Sequence, residues 1–319
     1  MSDAGTLEEV EIRLLLEALR LRFGYDFRQY AADSLRRLIR GYLASTPWRH
    51  VSEIIPHLLH DGCVRNELIG ALTVNTTGMF RDPGVFRFLA RELFPLLATY
   101  PFVNIWHAGC STGEEVYSLA ILLQEAGLYD RCRIYATDLN PEALEAARAG
   151  VYPVGRLPEY AGAYVEAGGR GSFSDHYHAR YDYFRLDPAL RANVLFSTHN
   201  LATDAVFVET HLIFCRNVLI YFDRALQDRV LGLFLESLVE GGFLCLGSRE
   251  SLLFSVIDEA MASVSGPERI YRREFTDRSG RGEDRKPRRQ VRRAALPSGA
   301  NDPGQDPWSS PGRPCPSAS

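Results

Sequence analysis

The side chains best placed to do chemistry in this chain stand just after its apolar runs. His107-Ala108-Gly109-Cys110-Ser111-Thr112-Gly113-Glu114-Glu115 follows the run Phe102 to Trp106 and leads into Leu119-Ala120-Ile121-Leu122-Leu123. A strand, a tight glycine-containing turn and a helix, in that order, open a nucleotide-binding α/β domain. The glycines let backbone approach a ligand where a side chain would collide. The G-x-G-x-x-G spacing that grips a pyrophosphate is absent, and Glu114 and Glu115 sit where the helix begins. Carboxylates there suit a ligand with hydroxyls or positive charge. They argue against a nicotinamide-dependent dehydrogenase.

The elements that must position these residues follow from the hydrophobic pattern. Strands are expected at 102–107, 132–137, 193–198, 211–215 and 242–247, and helices at 114–126, 141–149 and 223–239. Such alternation implies a doubly wound parallel sheet with helices on both faces. A last apolar-aromatic strand around 269–273 is expected to close the sheet edge. Ligands in these sheets bind at the C-terminal strand ends. Those ends carry Gly109–Glu115, then Thr137-Asp138-Leu139-Asn140, then His199-Asn200-Leu201, then Cys215-Arg216-Asn217 followed by Val218 to Asp223. Asp138 can accept hydrogen bonds from both hydroxyls of a ribose. Its other reading is an N-cap for the helix that starts at Pro141.

The first 70 or so residues read as helical. Thr6 and Glu9 match a capping box ahead of Val10, Leu14, Leu15 and Ala18. A second helix carries Leu35, Leu38, Ile39, Tyr42 and Leu43 at helical spacing, with Arg36, Arg37 and Arg40 on its other face. That face is either solvated or a docking surface for an acidic partner. Residues 150–191, rich in Gly, Tyr and Phe, are too long for an αβ loop and read as an inserted small lobe, a β-hairpin set. The domains expected are therefore a helical region 1–72, a ligand-binding α/β domain 73–275 containing the lobe, and a Pro/Gly-rich tail 276–319 that reads as disordered.

Bulk properties narrow the function classes. An apolar share of 46% with 24% charged residues belongs to an ordinary globular protein. No apolar run reaches the ~18 residues of a membrane helix. The N-terminus has no basic segment followed by an apolar one, so a cytoplasmic protein without membrane insertion is expected. The tail carries nine Lys/Arg against five Asp/Glu, a net of +4, which leaves −8 of the overall −4 on residues 1–275. An acidic body argues against a nucleic-acid substrate, which wants a basic groove. The six cysteines form no C-x-x-C pair and mostly sit in apolar runs. They read as reduced thiols, with no metal site.

Four motifs together resemble the CheR-type chemotaxis receptor methyltransferases: Val74 to Pro83; Ala108 to Ser118; Ala136-Thr137-Asp138; and His199-Asn200-Leu201 with Phe214 to Asp223. The resemblance spans about residues 10–273. It implies an S-adenosylmethionine (SAM)-dependent methyltransferase with a Rossmann-like sheet, an all-helical N-terminal domain and a small inserted β lobe. It implies methyl transfer from SAM to glutamate carboxylates of methyl-accepting receptors, releasing S-adenosylhomocysteine, with no metal. Carried over, the family pattern puts Asn75, Thr77, Arg81, Gly109, Glu115, Asp138, Asn200, Leu201, Arg216 and Asn217 around the cofactor. Glu115 suits the cofactor's amino group or ribose, Asn200 and Leu201 the adenine, and Asn217 the methionine moiety. For Asn75 and Thr77, ordinary turn chemistry is the alternative.

Arg81 and Tyr221 are the expected catalytic residues, the first holding the substrate carboxylate and the second orienting its attacking oxygen. Their plainer readings are an interdomain salt bridge and a core aromatic. A glutamate carboxylate, with an ordinary pKa of ~4.3, needs no general base. The expected partner is the receptor's cytoplasmic helical bundle, met by Arg36, Arg37 and Arg40. Only the resemblance suggests that the lobe binds a receptor tail as an added strand. Two departures stand out: His211 where the family starts a strand with Asp, and Thr76 in place of an apolar residue. Both are expected to alter packing without touching the cofactor. The competing readings are a non-catalytic module that binds SAM or its product, and the same chemistry on a receptor-like sensor outside chemotaxis.

Overall fold

The structure is a computed structural model, and it describes residues 6–74 and 76–275. Asn75 and the tail therefore lie outside the described residues.

Four helices come first: α1 (Leu7–Phe23), α2 (Ala32–Ala44), α3 (Val51–His60) and α4 (Gly62–Thr73). The Thr6–Glu9 capping box is present, and Gly24, at φ 80°, ends α1 in the left-handed region. Leu15, Leu19, Phe27, Ile39, Ile54 and Leu68 form a core of their own beneath these helices. One expectation needs correction. Val10 and Leu14 stay 46% and 54% exposed, because α1 buries the Ile12-Leu15-Leu16-Leu19 stripe instead. A linker then leads to α5 (Pro83–Phe88), which runs through a π turn (Leu89–Leu93) into α6 (Phe94–Leu97).

The α/β part follows with β1 (Val103–Ala108), α7 (Glu114–Glu125), β2 (Cys132–Asp138) and α8 (Pro141–Ala149). The segment that breaks the alternation holds β3 (Val151–Pro153), α9 (Leu157–Glu166), β4 (Tyr177–Arg180) and β5 (Tyr183–Leu186). These strands form a separate antiparallel sheet in the order β3-β5-β4. The helix α9 was not expected; it buries Tyr160 and Tyr164 against the main core. The chain closes with β6 (Val194–Thr198), β7 (Thr210–Cys215), α10 (Arg224–Ser237), β8 (Leu238–Leu246), β9 (Met261–Ser265) and β10 (Ile270–Arg273).

The main sheet has seven strands in the order β6-β2-β1-β7-β8-β10-β9. The pairs β1–β2, β1–β7, β2–β6 and β7–β8 are parallel, and β10 runs antiparallel to both neighbours. The last strand therefore does not close the edge as expected: β9 lies outside it. The short Met-Ala-Ser-Val-Ser run of β9, exposed at three positions, gave little strand signal. Both faces of the central strands are covered. Ile105, Leu212 and Phe214 enter the core shared with α7, while Trp106, Ile213 and Cys215 enter the core beneath α10. Strand order reverses at β1, with β2 on one side and β7 on the other. A crevice opens at such a reversal, at the C-terminal strand ends.

Cys110, Cys132, Cys215 and Cys245 are buried and free, as expected. Cys63 is disulfide-bonded, which corrects the reduced reading there. It sits half-buried at the start of α4, outside the apolar runs that enclose the others. Among the described residues no helix is long and apolar enough to cross a membrane.

Candidate functional site

A cleft of about 930 Å³, including its open mouth, lies at the strand reversal. Thr77, Arg81, Gly109, Glu115, Asp138, Asn200, Leu201, Arg216, Asn217 and Tyr221 all line it. Arg36, Arg37 and Arg40 lie elsewhere, on α2. Thr76 also lines the cleft, which corrects the expectation that it stands clear of the cofactor region.

The turn after β1 is shaped by its neighbours. Gly109 has φ 82°, and a Cβ there would stand 2.5 Å from Val218 Cγ2. Its N–H and that of Cys110 donate to the Thr137 carbonyl at 2.8 and 2.9 Å. Ser111, itself in the left-handed region, donates its N–H to Asp138 Oδ2 at 2.8 Å. Asn140 donates to the other oxygen, Oδ1, at 2.9 Å. Asp138 is thus no N-cap. Asn140 is, since its side chain accepts from Glu142 and Ala143. A carboxylate has about four acceptor positions, so two remain on Asp138. Burial pushes the Asp138 carboxyl up, opposed by these backbone donors.

The two glutamates that open α7 separate. Glu114 is buried away from the cleft and accepts from Thr112 Oγ1 at 2.6 Å. Glu115 faces the cleft and pairs with Arg216 Nη1 at 2.6 Å, with His107 Nδ1 3.5 Å from its other oxygen. Burial pushes Glu115 up, but the Arg216 charge and His107 outweigh it and bring its carboxyl down to about 2. Arg216 is 7% exposed. Its guanidinium also donates to the Arg81 carbonyl and pairs with Asp82. It therefore clasps the linker to the end of β7. Phe80 and Asp82, both in the left-handed region, are held in that conformation by Ser118, which accepts the Phe80 N–H at 2.8 Å, and by Arg216.

Arg81 itself stands exposed at the rim. One guanidinium nitrogen donates to the Thr76 carbonyl at 3.0 Å, and among the described residues it has no carboxylate partner. The salt bridges in this part of the cleft belong to Arg216 instead, and they tie the linker to the α/β core. Asn200 turns its side-chain oxygen onto the Ala202 N–H at 3.0 Å. That leaves its amide nitrogen and the Leu201 backbone for a ligand. Asn217, at φ 62°, lines the cleft, and its buried Oδ1 has no partner among the described residues. Such an orphaned acceptor is costly unless a ligand donor satisfies it. A methionine amino group fits that need, and a ribose fits the open positions on Asp138.

Two contributors were missed at the sequence level. Glu250 is buried and accepts four backbone N–H bonds, from Asn217, Val218, Leu219 and Gly247, at 2.6–3.1 Å. It fixes the loop that presents Asn217 and Tyr221. In sequence it stands in a polar Ser-Arg-Glu-Ser run that reads as exposed. Tyr30, between α1 and α2, also lines the cleft. Nothing local in the sequence signals that it reaches so far.

The departure at His211 has a physical account. Its Nδ1 accepts the Asn104 N–H at 3.0 Å, and its ring lies edge-on to Tyr100. The ring nitrogen thus serves as the acceptor for that backbone donor. On α2, Arg36 pairs with Glu9 and Arg40 with Glu8, both on α1, while Arg37 is exposed.

Residues 75–267 match the family described as CheR methyltransferase, SAM binding domain. The chain is 48% identical over 265 residues to a Pseudomonas putida protein named as the methyltransferase Cher3, covering 83% of this chain and 97% of that one. It is 30% identical to the chemotaxis protein methyltransferase of Listeria monocytogenes, over 72% of this chain and 86% of that one. It is 34% identical to chemotaxis protein methyltransferase 1 of Pseudomonas aeruginosa, over 60% of this chain and 71% of that one. With its sheet, its cleft and these relatives, the chain belongs to the CheR family of SAM-dependent methyltransferases.

Proposed function

We propose that this protein methylates glutamate carboxylates on the helical signalling bundle of methyl-accepting chemotaxis receptors. The observation that carries the reading is the pairing, at one cleft, of an Arg81 fork engaged only by a carbonyl with a Tyr221 hydroxyl that has no partner among the described residues. A planar fork recognises a carboxylate by two parallel hydrogen bonds. The chemotaxis names of the Listeria and P. aeruginosa relatives support the same substrate class.

When bound, SAM supplies an electrophilic methyl group on a positively charged sulfur. Asp138 holds the ribose, and Asn217 Oδ1 accepts from the amino group. Arg216 neutralises Glu115 and keeps the linker against β7, so that Arg81 stands at the rim. Arg81 receives the incoming carboxylate, and the Tyr221 hydroxyl orients its attacking oxygen. The nucleophile is ionised at neutral pH, so no residue has to take its proton. Opposite charges neutralise along the reaction. Leu139, Leu201 and Phe222 in the cleft walls exclude water that would favour the separated charges. Alignment supplies much of the remaining rate. The receptor is met by α2, where Arg37 offers an open cation.

The test is methyl transfer from radiolabelled SAM to a purified receptor signalling fragment. Glutamate methyl esters release labelled methanol in mild base. Label that stays bound in base, or no label at all, would reject the proposal. A second reading keeps the chemistry but uses a receptor-like sensor outside chemotaxis. Assaying sensors of both kinds separates the two.

A further inference from the structure

We infer that Tyr30 is a cofactor contact delivered by the helical N-terminal region, its phenol donating to a ribose oxygen opposite the Asp138 carboxylate. The inference rests on reading the cleft as the SAM site.

The backbone around Tyr30 is fastened to the segment that carries Tyr221. Tyr30 and Phe222 form an antiparallel bridge. The Ala31 N–H donates to the Tyr221 carbonyl at 2.9 Å, and the Asp223 N–H donates to the Gln29 carbonyl at 2.8 Å. The Tyr30 ring lies edge-on between Phe27 and Phe222, each 5.0 Å away between centroids. It packs against both the helical core and the core beneath α10. A residue used only for that packing could be a phenylalanine. Tyr30 instead lines the cleft with Asp138 and Leu139, its phenol close enough to feel the Asp138 charge, and its hydroxyl has no hydrogen-bond partner among the described residues.

The chemistry of the two groups is complementary. Each hydroxyl of a vicinal diol can donate one hydrogen bond and accept others. Asp138 offers only acceptors. Burial and the nearby Asp138 charge keep the Tyr30 phenol protonated well above the usual range, so it can serve as a donor. One acceptor and one donor, brought from two different cores, make a site that is complete only when the helical region is docked.

The experiment is calorimetric titration of the full chain, and of its Tyr30→Phe and Tyr30→Ala variants, with S-adenosylhomocysteine and with its 2′-deoxy and 3′-deoxy analogues. Tyr30→Phe keeps the ring packing, so its ligand-free melting temperature should match wild type. Its affinity for S-adenosylhomocysteine should fall about fivefold to tenfold, the size of one lost hydrogen bond. One deoxy analogue should lose less affinity against Tyr30→Phe than against wild type, since the contact it lacks is already gone. A purely structural role for Tyr30 would not change the analogue penalties. Wild-type affinity in both variants overturns the inference and leaves the cofactor reading standing. So do analogue penalties that are unchanged by the substitution. If wild type itself fails to bind, the cofactor reading falls and takes this inference with it.

Discussion

Replacing Glu250 with glutamine removes one charge and one acceptor while keeping the shape. In the native chain, Oε1 accepts from Val218 and Leu219 at 2.9 and 2.8 Å, and Oε2 from Asn217 and Gly247 at 3.1 and 2.6 Å. A glutamine can keep one such pair. Its NH2 group must then face the other two N–H donors. Each lost bond to a charged acceptor costs roughly 1.5–3 kcal/mol. Part of this is offset because the buried charge is itself unfavourable; burial pushes the Glu250 carboxyl up against the pull of its four donors. The net cost is then about 2–4 kcal/mol, which lowers Tm by roughly 3–6 °C in a protein of this size. The loop cannot easily yield. A Cβ on Gly247 would stand 2.7 Å from the Asn217 nitrogen, so the backbones already touch. Asn217, held at φ 62°, should lose its aim into the cleft. S-adenosylhomocysteine affinity should fall at least tenfold. Thermal unfolding and calorimetric titration of Glu250→Gln measure both effects. A Tm unchanged within error, with unchanged affinity, would refute the reasoning, since two buried donors would then have lost their acceptor at no cost.

Other outcomes follow from the same geometry. Arg81→Ala should bind SAM normally and lose most turnover; near-normal turnover in a methyl-transfer assay would remove Arg81 from the mechanism. Asp138→Asn should weaken S-adenosylhomocysteine binding by roughly 10–100-fold, the worth of a bond or two to a charged acceptor, as read by calorimetry. Burial pushes His211 below its usual range. Its neutral ring accepts the Asn104 N–H, so its stabilisation is complete above the unfolded value of about 6.5 and declines as pH falls through that range. Denaturant unfolding at pH 7.5 and 5.5 should therefore show His211→Asn losing less stability on acidification than wild type; parallel losses would count against it. Arg37→Glu should reduce receptor methylation and leave cofactor affinity intact, whereas full methylation would restore the solvated reading of that helix face.

What could be read without coordinates was what depends on local spacing. The alternation of apolar runs with helical periods gave the parallel sheet. The strand ends then pointed to Gly109, Asp138, Asn200 and Asn217, because a parallel sheet brings those ends to one rim whatever its loops do. The capping box at Thr6 and the helix after Pro141 were equally local. The misses share a cause. Strand β9 is short and exposed, so its pairing with β10 rests on backbone bonds that leave no hydrophobic pattern. Helix α1 carries apolar residues on two faces, and only packing chose which stripe to bury. Arg216 lines the cleft as a strand end should, and folding also pairs it with Glu115, Asp82 and the Arg81 carbonyl, partners that no local spacing announces. Its charge is consumed in joining segments more than a hundred residues apart. Glu250 and Tyr30 had no signature at all. One becomes an anchor because three N–H groups from the distant Asn217–Leu219 segment converge on it beside that of nearby Gly247. The other enters the cleft because a two-residue backbone bridge fastens the helical region to the Tyr221 segment. Motifs record which groups a strand end presents. Which of them remain free for a ligand is decided by long-range pairing, and those partners are set only when the chain is folded.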